Sequence, residues 1–189
     1  MQNTKVIGFT QTTKVIGYRR NLMHLIRAEG GGKFAEIGVL GGKTCRAALE
    51  YCGDIITEYW AIDPWDIVYS GKRQDWPKAR WDSTYLKVLK LEEEFPQLFV
   101  LRKTSVVGAE IAKGIGLKFD MVFIDGDHSY EMVKADILCW KPLVREGGLL
   151  TGHDYSDNHD GVVNAVHELL GEDNITILPG RIWTYRVED

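Results

Sequence analysis

From residue 34 onward the chain alternates short apolar runs with longer amphipathic ones, and this rhythm constrains its fold more than any other feature. Strands are expected at Phe34–Gly38, Ile55–Ile62, Leu98–Leu101, Phe119–Ile124 and around Leu149–Thr151. Helices are expected between them, at Lys43–Cys52, Ser83–Glu94, Ser105–Lys113, Tyr130–Trp140 and Gly161–Leu170. A helix at Asn21–Ala28, stopped by Gly30-Gly31-Gly32, comes before the first strand. Strand–helix alternation demands right-handed crossovers and a mostly parallel sheet with helices on both faces. The ending breaks the rhythm. Ile175–Leu178 and Ile182–Val187 meet at Pro179-Gly180 with no helix between them, so the last strand should run antiparallel. A chain of 189 residues suits one domain of this kind, with residues 1–32 as an N-terminal extension and helix and 33–189 as the core.

Ligands of such sheets bind beyond the carboxyl ends of the strands, so the residues found there decide the chemistry. The first strand ends in Glu36-Ile-Gly-Val-Leu-Gly-Gly-Lys-Thr44. Its glycines let backbone approach a ligand closely, but Gly38, Gly41 and Gly42 do not form the GxGxxG of a pyrophosphate site. Glu36 is an acid on an otherwise apolar strand, where acids are rare unless paired. Asp63 ends the second strand, at a position from which a carboxylate can hold a ribose diol. The strongest strand runs into Asp125-Gly-Asp127-His128-Ser-Tyr130, and the next into Gly152-His-Asp154-Tyr155. Neighbouring strands would bring Asp125 and Asp154 together, as a pair able to hold a divalent ion or move protons. His24, His159 and His167 read as ordinary surface or interface residues. Trp65–Trp81 is long for a strand-to-helix connection and carries Trp65, Trp76 and Trp81, which suggests a mobile lid. TKVIGF at Thr4–Phe9 recurs as TKVIGY at Thr13–Tyr18, and we assign this pair no function.

Composition excludes several classes. The formal net charge is −4, which argues against nucleic acid or an anionic membrane as the main partner. No apolar run approaches the roughly 20 residues that cross a bilayer, and the start shows no secretory signal, so a cytoplasmic location is expected. Cys45, Cys52 and Cys139 lack metal or disulfide spacing and suit free thiols. At this level a nicotinamide-dependent oxidoreductase and a non-catalytic nucleotide-binding module both remain open.

Four motifs in order, EIGVLGGKT, AIDPW, FDMVFIDGDHSYEMVKAD and GGLLTGHDY, make the chain resemble the class I S-adenosylmethionine-dependent methyltransferases. The resemblance is greatest to small proteins with an IDGDHSYE signature, related to the macrocin and catechol O-methyltransferases, and spans Phe34 to Tyr155. It implies a Rossmann-like sheet of seven strands and O-methylation of a small-molecule hydroxyl. It implies that Glu36, Gly38 and Gly42 line the methionine end of the cofactor with Thr44 nearby. It also implies that Asp63 holds the ribose, that Ser105 lies near the adenine, and that Asp125 faces the sulfonium. Asp125 and Asp154 match metal ligands, for magnesium or manganese. If catalysis is by general base, Asp127 or His128 is the candidate to accept the proton of a substrate hydroxyl. His153 stands where those relatives carry an acid, which suits a softer metal or none. A homo-oligomer is compatible with the resemblance.

Overall fold

A computed structural model describes residues 17–66 and 75–188. The elements run α1 (Tyr18–Ala28), β1 (Gly32–Ile37), α2 (Lys43–Cys52), β2 (Ile56–Asp63), α3 (Lys78–Leu89), α4 (Leu91–Glu94) and β3 (Leu98–Arg102). They continue through α5 (Ser105–Gly114), β4 (Phe119–Ile124), α6 (Tyr130–Trp140), β5 (Val144–Gly152), α7 (Asp160–Leu170), β6 (Ile175–Leu178) and β7 (Ile182–Arg186).

The strands form one seven-stranded sheet in the order β3-β2-β1-β4-β5-β7-β6. The first five are parallel, and β7 runs antiparallel to both β5 and β6. This is the expected doubly wound sheet with its antiparallel last strand. Strand pleating sorts the apolar residues into two layers. Phe34, Met121 and Phe123 face a core that also takes Leu22, Met23 and Ile26 of α1 and Ala48 of α2. Ala35, Ile37, Val122 and Ile124 face the opposite core, filled by Ile137 and Trp140 of α6 and Val166 of α7. Strands buried on both faces read as unbroken apolar runs, which explains the strength of the signal at 119–124.

The largest departures from the expectation fall at β5 and α3. β5 begins at Val144 rather than Leu149, because Gly147 takes a φ of 68° and the strand carries on past it. α3 begins at Lys78 rather than Ser83, directly after Pro77 in extended geometry. The expected single helix 83–94 is two, α3 and the short α4, meeting at Lys90. The repeat at 4–18 falls outside the described residues except for Gly17 and Tyr18, and Tyr18 opens α1. Much of the expected lid, 67–74, also lies outside them. Its flanking Trp65 and Trp81 are fully buried, so these two side chains belong to the core rather than to a mobile cover. No helix among the described residues is long and apolar enough to cross a membrane.

The chain builds outward from β1 through β2 to β3, then returns to place β4 on the other side of β1. The crevice of such a sheet opens where the order reverses, at the carboxyl ends of β1 and β4. Glu36-Ile37-Gly38 and Ile124-Asp125 end side by side there.

Candidate active site

Gly38 is required by the meeting of β1 and β4. Its φ is 90°, and a Cβ there would lie 2.4 Å from the carbonyl oxygen of Asp125 and 2.5 Å from the Gly126 Cα. The loop that follows is held from β2. Asp63 Oδ2 accepts hydrogen bonds from the backbone N–H of Val39 (3.0 Å) and Leu40 (2.8 Å), while Oδ1 accepts from Trp65 N–H (2.7 Å). The Trp65 indole N–H donates to the Leu40 carbonyl at 2.7 Å. Leu40 and Trp65 both take positive φ, 50° and 42°, a conformation that non-glycine residues hold only under constraint.

A cavity of about 770 Å³ opens above this loop, lined among others by Tyr18, Arg19, Glu36, Thr44, His128 and Asp154. Its size is that of a small-molecule site. Glu36 is 1% exposed and accepts a hydrogen bond from the Tyr59 hydroxyl at 2.7 Å. Burial pushes its carboxyl up to about 8, against the lowering effect of Tyr59. Thr44 Oγ1 accepts from Arg19 Nε at 3.1 Å. The Tyr18 hydroxyl donates to Asp125 Oδ2 at 2.8 Å, and its ring lies 3.8 Å, centroid to centroid, from His153.

Titratable groups crowd the far wall. His128 Nε2 is 3.0 Å and His153 Nδ1 3.1 Å from the same oxygen, Asp154 Oδ2. Arg181 (3.4 Å) and His159 (3.9 Å) approach Asp154 Oδ1, and His153 Nδ1 is 3.6 Å from Asp125 Oδ1. Burial opposes ionisation of Asp154, but the hydrogen bonds from His128 and His153 outweigh it and hold its carboxyl far below the usual range. Burial raises Asp125 to about 6, partly offset by His153 and Tyr18. The hydrogen bond to Asp154 raises His128. Asp154 itself holds a φ of 58°. Two triplets, Asp125–His153–Asp154 and His128–Asp154–His159, each place their donor atoms within 4.8 Å of one another. A divalent ion fits the first, the more buried of the two, as a mixed oxygen–nitrogen donor set. The ring nitrogen His153 Nε2 is buried without a hydrogen-bond partner among the described residues.

A second, narrower cavity lies beside the first, between Ile62 and Pro64 on one side and Met132 on the other, with Ser105, Asp127 and Asp136 as polar lining. Ser105 Oγ accepts from the Trp140 indole N–H at 2.9 Å. Asp136 is buried, burial raises it to about 7, and its Oδ1 has no hydrogen-bond partner among the described residues.

The expected site residues therefore divide. Glu36, Gly38, Thr44, Asp125, His128 and Asp154 line the larger cavity, and Ser105 and Asp127 line the smaller. Asp127 Oδ1 accepts from Ser129 N–H at 2.8 Å, so this carboxylate shapes the turn into α6. Asp63 lines neither cavity: it is 1% exposed and turned into the loop. Gly42 also lines neither, and faces α3, where a Cβ would lie 3.0 Å from Val88 Cγ2. Gly41 fronts the cavity instead. Sequence reasoning missed Tyr18 and Arg19, and it read His159 as an ordinary surface or interface residue although the ring borders the Asp154 cluster. Asp136 had a legible signal, an acid on the buried face of α6 shared by Val133, Ile137 and Trp140.

The family model described as "Methyltransferase domain" matches residues 35–155. No curated protein matches the chain. Among solved structures, an O-methyltransferase from Bacillus cereus in complex with SAH is similar, with TM-score 0.66, 14% identity, and coverage of 95% of this chain and 84% of that one. A TDP-rhamnose 3'-O-methyltransferase of calicheamicin biosynthesis has TM-score 0.62, 17% identity, and coverage of 89% and 78%. An N-methyltransferase from Bradyrhizobium japonicum has TM-score 0.62, 10% identity, and coverage of 91% and 95%. At these identities the likeness is one of fold, and the named acceptor atom is oxygen in two of the three and nitrogen in the third.

Proposed function

This chain belongs to the methyltransferase domain family, and from that premise we propose that it carries the methyl group of S-adenosylmethionine to a hydroxyl oxygen of a small molecule. One observation carries the choice of an oxygen acceptor: His128, braced by Asp154, lines the same cavity as the buried acid Glu36. An alcohol must lose a proton as its oxygen is methylated, so a base has to stand beside it. A nicotinamide oxidoreductase is not favoured, because the family is a methyltransferase one and the glycine loop lacks the pyrophosphate pattern.

When bound, S-adenosylmethionine supplies an electrophilic methyl carbon on a sulfonium. In this reading Glu36 and Thr44, which both line the larger cavity, take its amino-acid end. The narrower cavity, whose lining includes Ile62, Pro64 and Met132 with Ser105 and Asp136 as polar groups, suits the adenine. His128 faces Asp154 through Nε2, which leaves Nδ1 to accept the substrate proton. Asp154 fixes the ring's tautomer and stabilises the imidazolium that forms. The protein's main contribution to the displacement is to hold donor and acceptor in line. Asp125, His153 and Asp154 would hold a divalent ion, magnesium or manganese, whose charge would acidify a substrate hydroxyl, and the imidazole favours manganese.

Thermal denaturation with adenosylhomocysteine and with NAD⁺ tests the donor: only the first should raise the melting temperature. Stabilisation by NAD⁺ alone would overturn the reading. His128→Ala should lower kcat by about 10²–10⁴ with adenosylhomocysteine affinity retained, and an unchanged kcat would remove His128 as the base.

A further inference from the structure

The family match begins at residue 35, yet two side chains from α1, Tyr18 and Arg19, reach the cavity. They are built in rather than draped over it. The Tyr18 hydroxyl is fixed by Asp125, and its ring lies against His153. Arg19 stacks on the Tyr18 ring, with its guanidinium carbon 4.6 Å from the centroid, and Nε donates to Thr44 Oγ1. That leaves the two terminal nitrogens of the guanidinium. No carboxylate forms an ion pair with them among the described residues.

The cavity carries both signs. Glu36 and Asp125 supply acid at the carboxyl ends of β1 and β4, while Arg19, Lys43, Arg80, Lys87 and the start of α2 supply positive charge. Arg19 is close enough to Glu36 to help lower its carboxyl. A ligand that carries an ammonium and a carboxylate on one carbon matches such a lining. Lys43, Arg80 and Lys87 are exposed, whereas Arg19 is half-buried and already braced by Thr44, and a planar guanidinium binds a carboxylate through two parallel hydrogen bonds.

We propose that Arg19 anchors the carboxylate at the amino-acid end of the cofactor, so that α1 completes a site whose remaining walls lie within residues 35–155. The inference rests on S-adenosylmethionine being the methyl donor. Tyr18 is a positioning residue in this arrangement, carrying the guanidinium on its ring.

Two ligands isolate the contact. Adenosylhomocysteine has the amino-acid end, while 5′-methylthioadenosine keeps the nucleoside and sulfur but lacks it. Calorimetry should show Arg19→Ala weakening adenosylhomocysteine by at least about tenfold while leaving 5′-methylthioadenosine within about twofold, the signature of one lost charge-assisted contact. Arg19→Lys should recover part of the loss, because it restores the charge without the fork. Equal weakening of both ligands would show that Arg19 acts through the fold, and unchanged adenosylhomocysteine affinity would show that it makes no contact; either overturns the proposal. If the unaltered protein binds neither ligand, the donor assignment itself fails and the inference falls with it.

Discussion

Binding of adenosylhomocysteine should release a proton from Glu36. Burial holds this carboxyl at about 8 in the free protein. At about pH 7 only roughly one tenth of the molecules then carry the ionised form. An ammonium docked against Glu36 needs the carboxylate, and it pulls the carboxyl back toward its ordinary value. The sign follows: the free site is protonated and the bound site is not, so binding expels a proton and affinity rises with pH. At about pH 7 the scarcity of the competent form weakens binding about tenfold. From about pH 7 to about pH 8 the ionised share climbs to about one half, a gain of roughly fivefold, and above that the curve should flatten. Calorimetry in buffers of different ionisation enthalpy counts the protons, with about 0.9 released at about pH 7 and about 0.5 at about pH 8. Glu36→Gln, which cannot titrate, serves as the control and should lose this increment. Affinity independent of pH between about 6.5 and 8.5, or the same proton count in Glu36→Gln, would refute the reasoning. The same shift acts on the ligand-free fold. Native Glu36 keeps its proton up to about 8 while the unfolded chain releases it near 4.5, so this group makes stability fall as pH climbs through that window.

Three further outcomes follow from the geometry. Gly38→Ala should destabilise the fold by at least about 1–3 kcal/mol in denaturant titration, since its Cβ meets the Asp125 backbone at positive φ, and an unchanged midpoint would deny that close approach. Asp63→Ala should cost about 2–5 kcal/mol of stability by leaving three backbone N–H groups without their acceptor. A loss of adenosylhomocysteine affinity in Asp63→Ala without any loss of stability would show that Asp63 works chiefly at the ribose. If Asp125, His153 and Asp154 hold an ion, chelation should abolish activity and manganese should restore it better than magnesium; His153→Asp should reverse that preference, and full activity in excess chelator would reject the site.

The sheet was legible because buried parallel strands announce themselves as apolar runs, and the site because its acids follow those runs directly. Legibility failed where contacts skip along the chain. Tyr18 touches Asp125 across 107 positions, and nothing local to Tyr18 marks it as more than the first turn of an amphipathic helix. Spacing alone also could not decide which glycine of Gly41-Gly42 fronts the cavity, since that depends on α3 packing against Gly42. Asp127 and His128 are adjacent in sequence but line different cavities, so a motif that names both candidates leaves the choice to the fold. At β5 only the apolar run around Leu149–Thr151 was legible, because Arg145, Glu146 and the two glycines before it carry no strand pattern, whereas the strand starts at Val144 and continues past Gly147.

Leu40, Trp65 and Asp154 hold left-handed backbone at the carboxyl ends of β1, β2 and β5. Each position carries of the order of 1 kcal/mol of conformational cost that a glycine would not. Leu40 is the least buried of the three. A directed-evolution campaign that screens only for heat resistance should therefore converge on glycine at Leu40. The variants it enriches would hold the loop over Glu36 less firmly, and they would survive heating better while turning over more slowly.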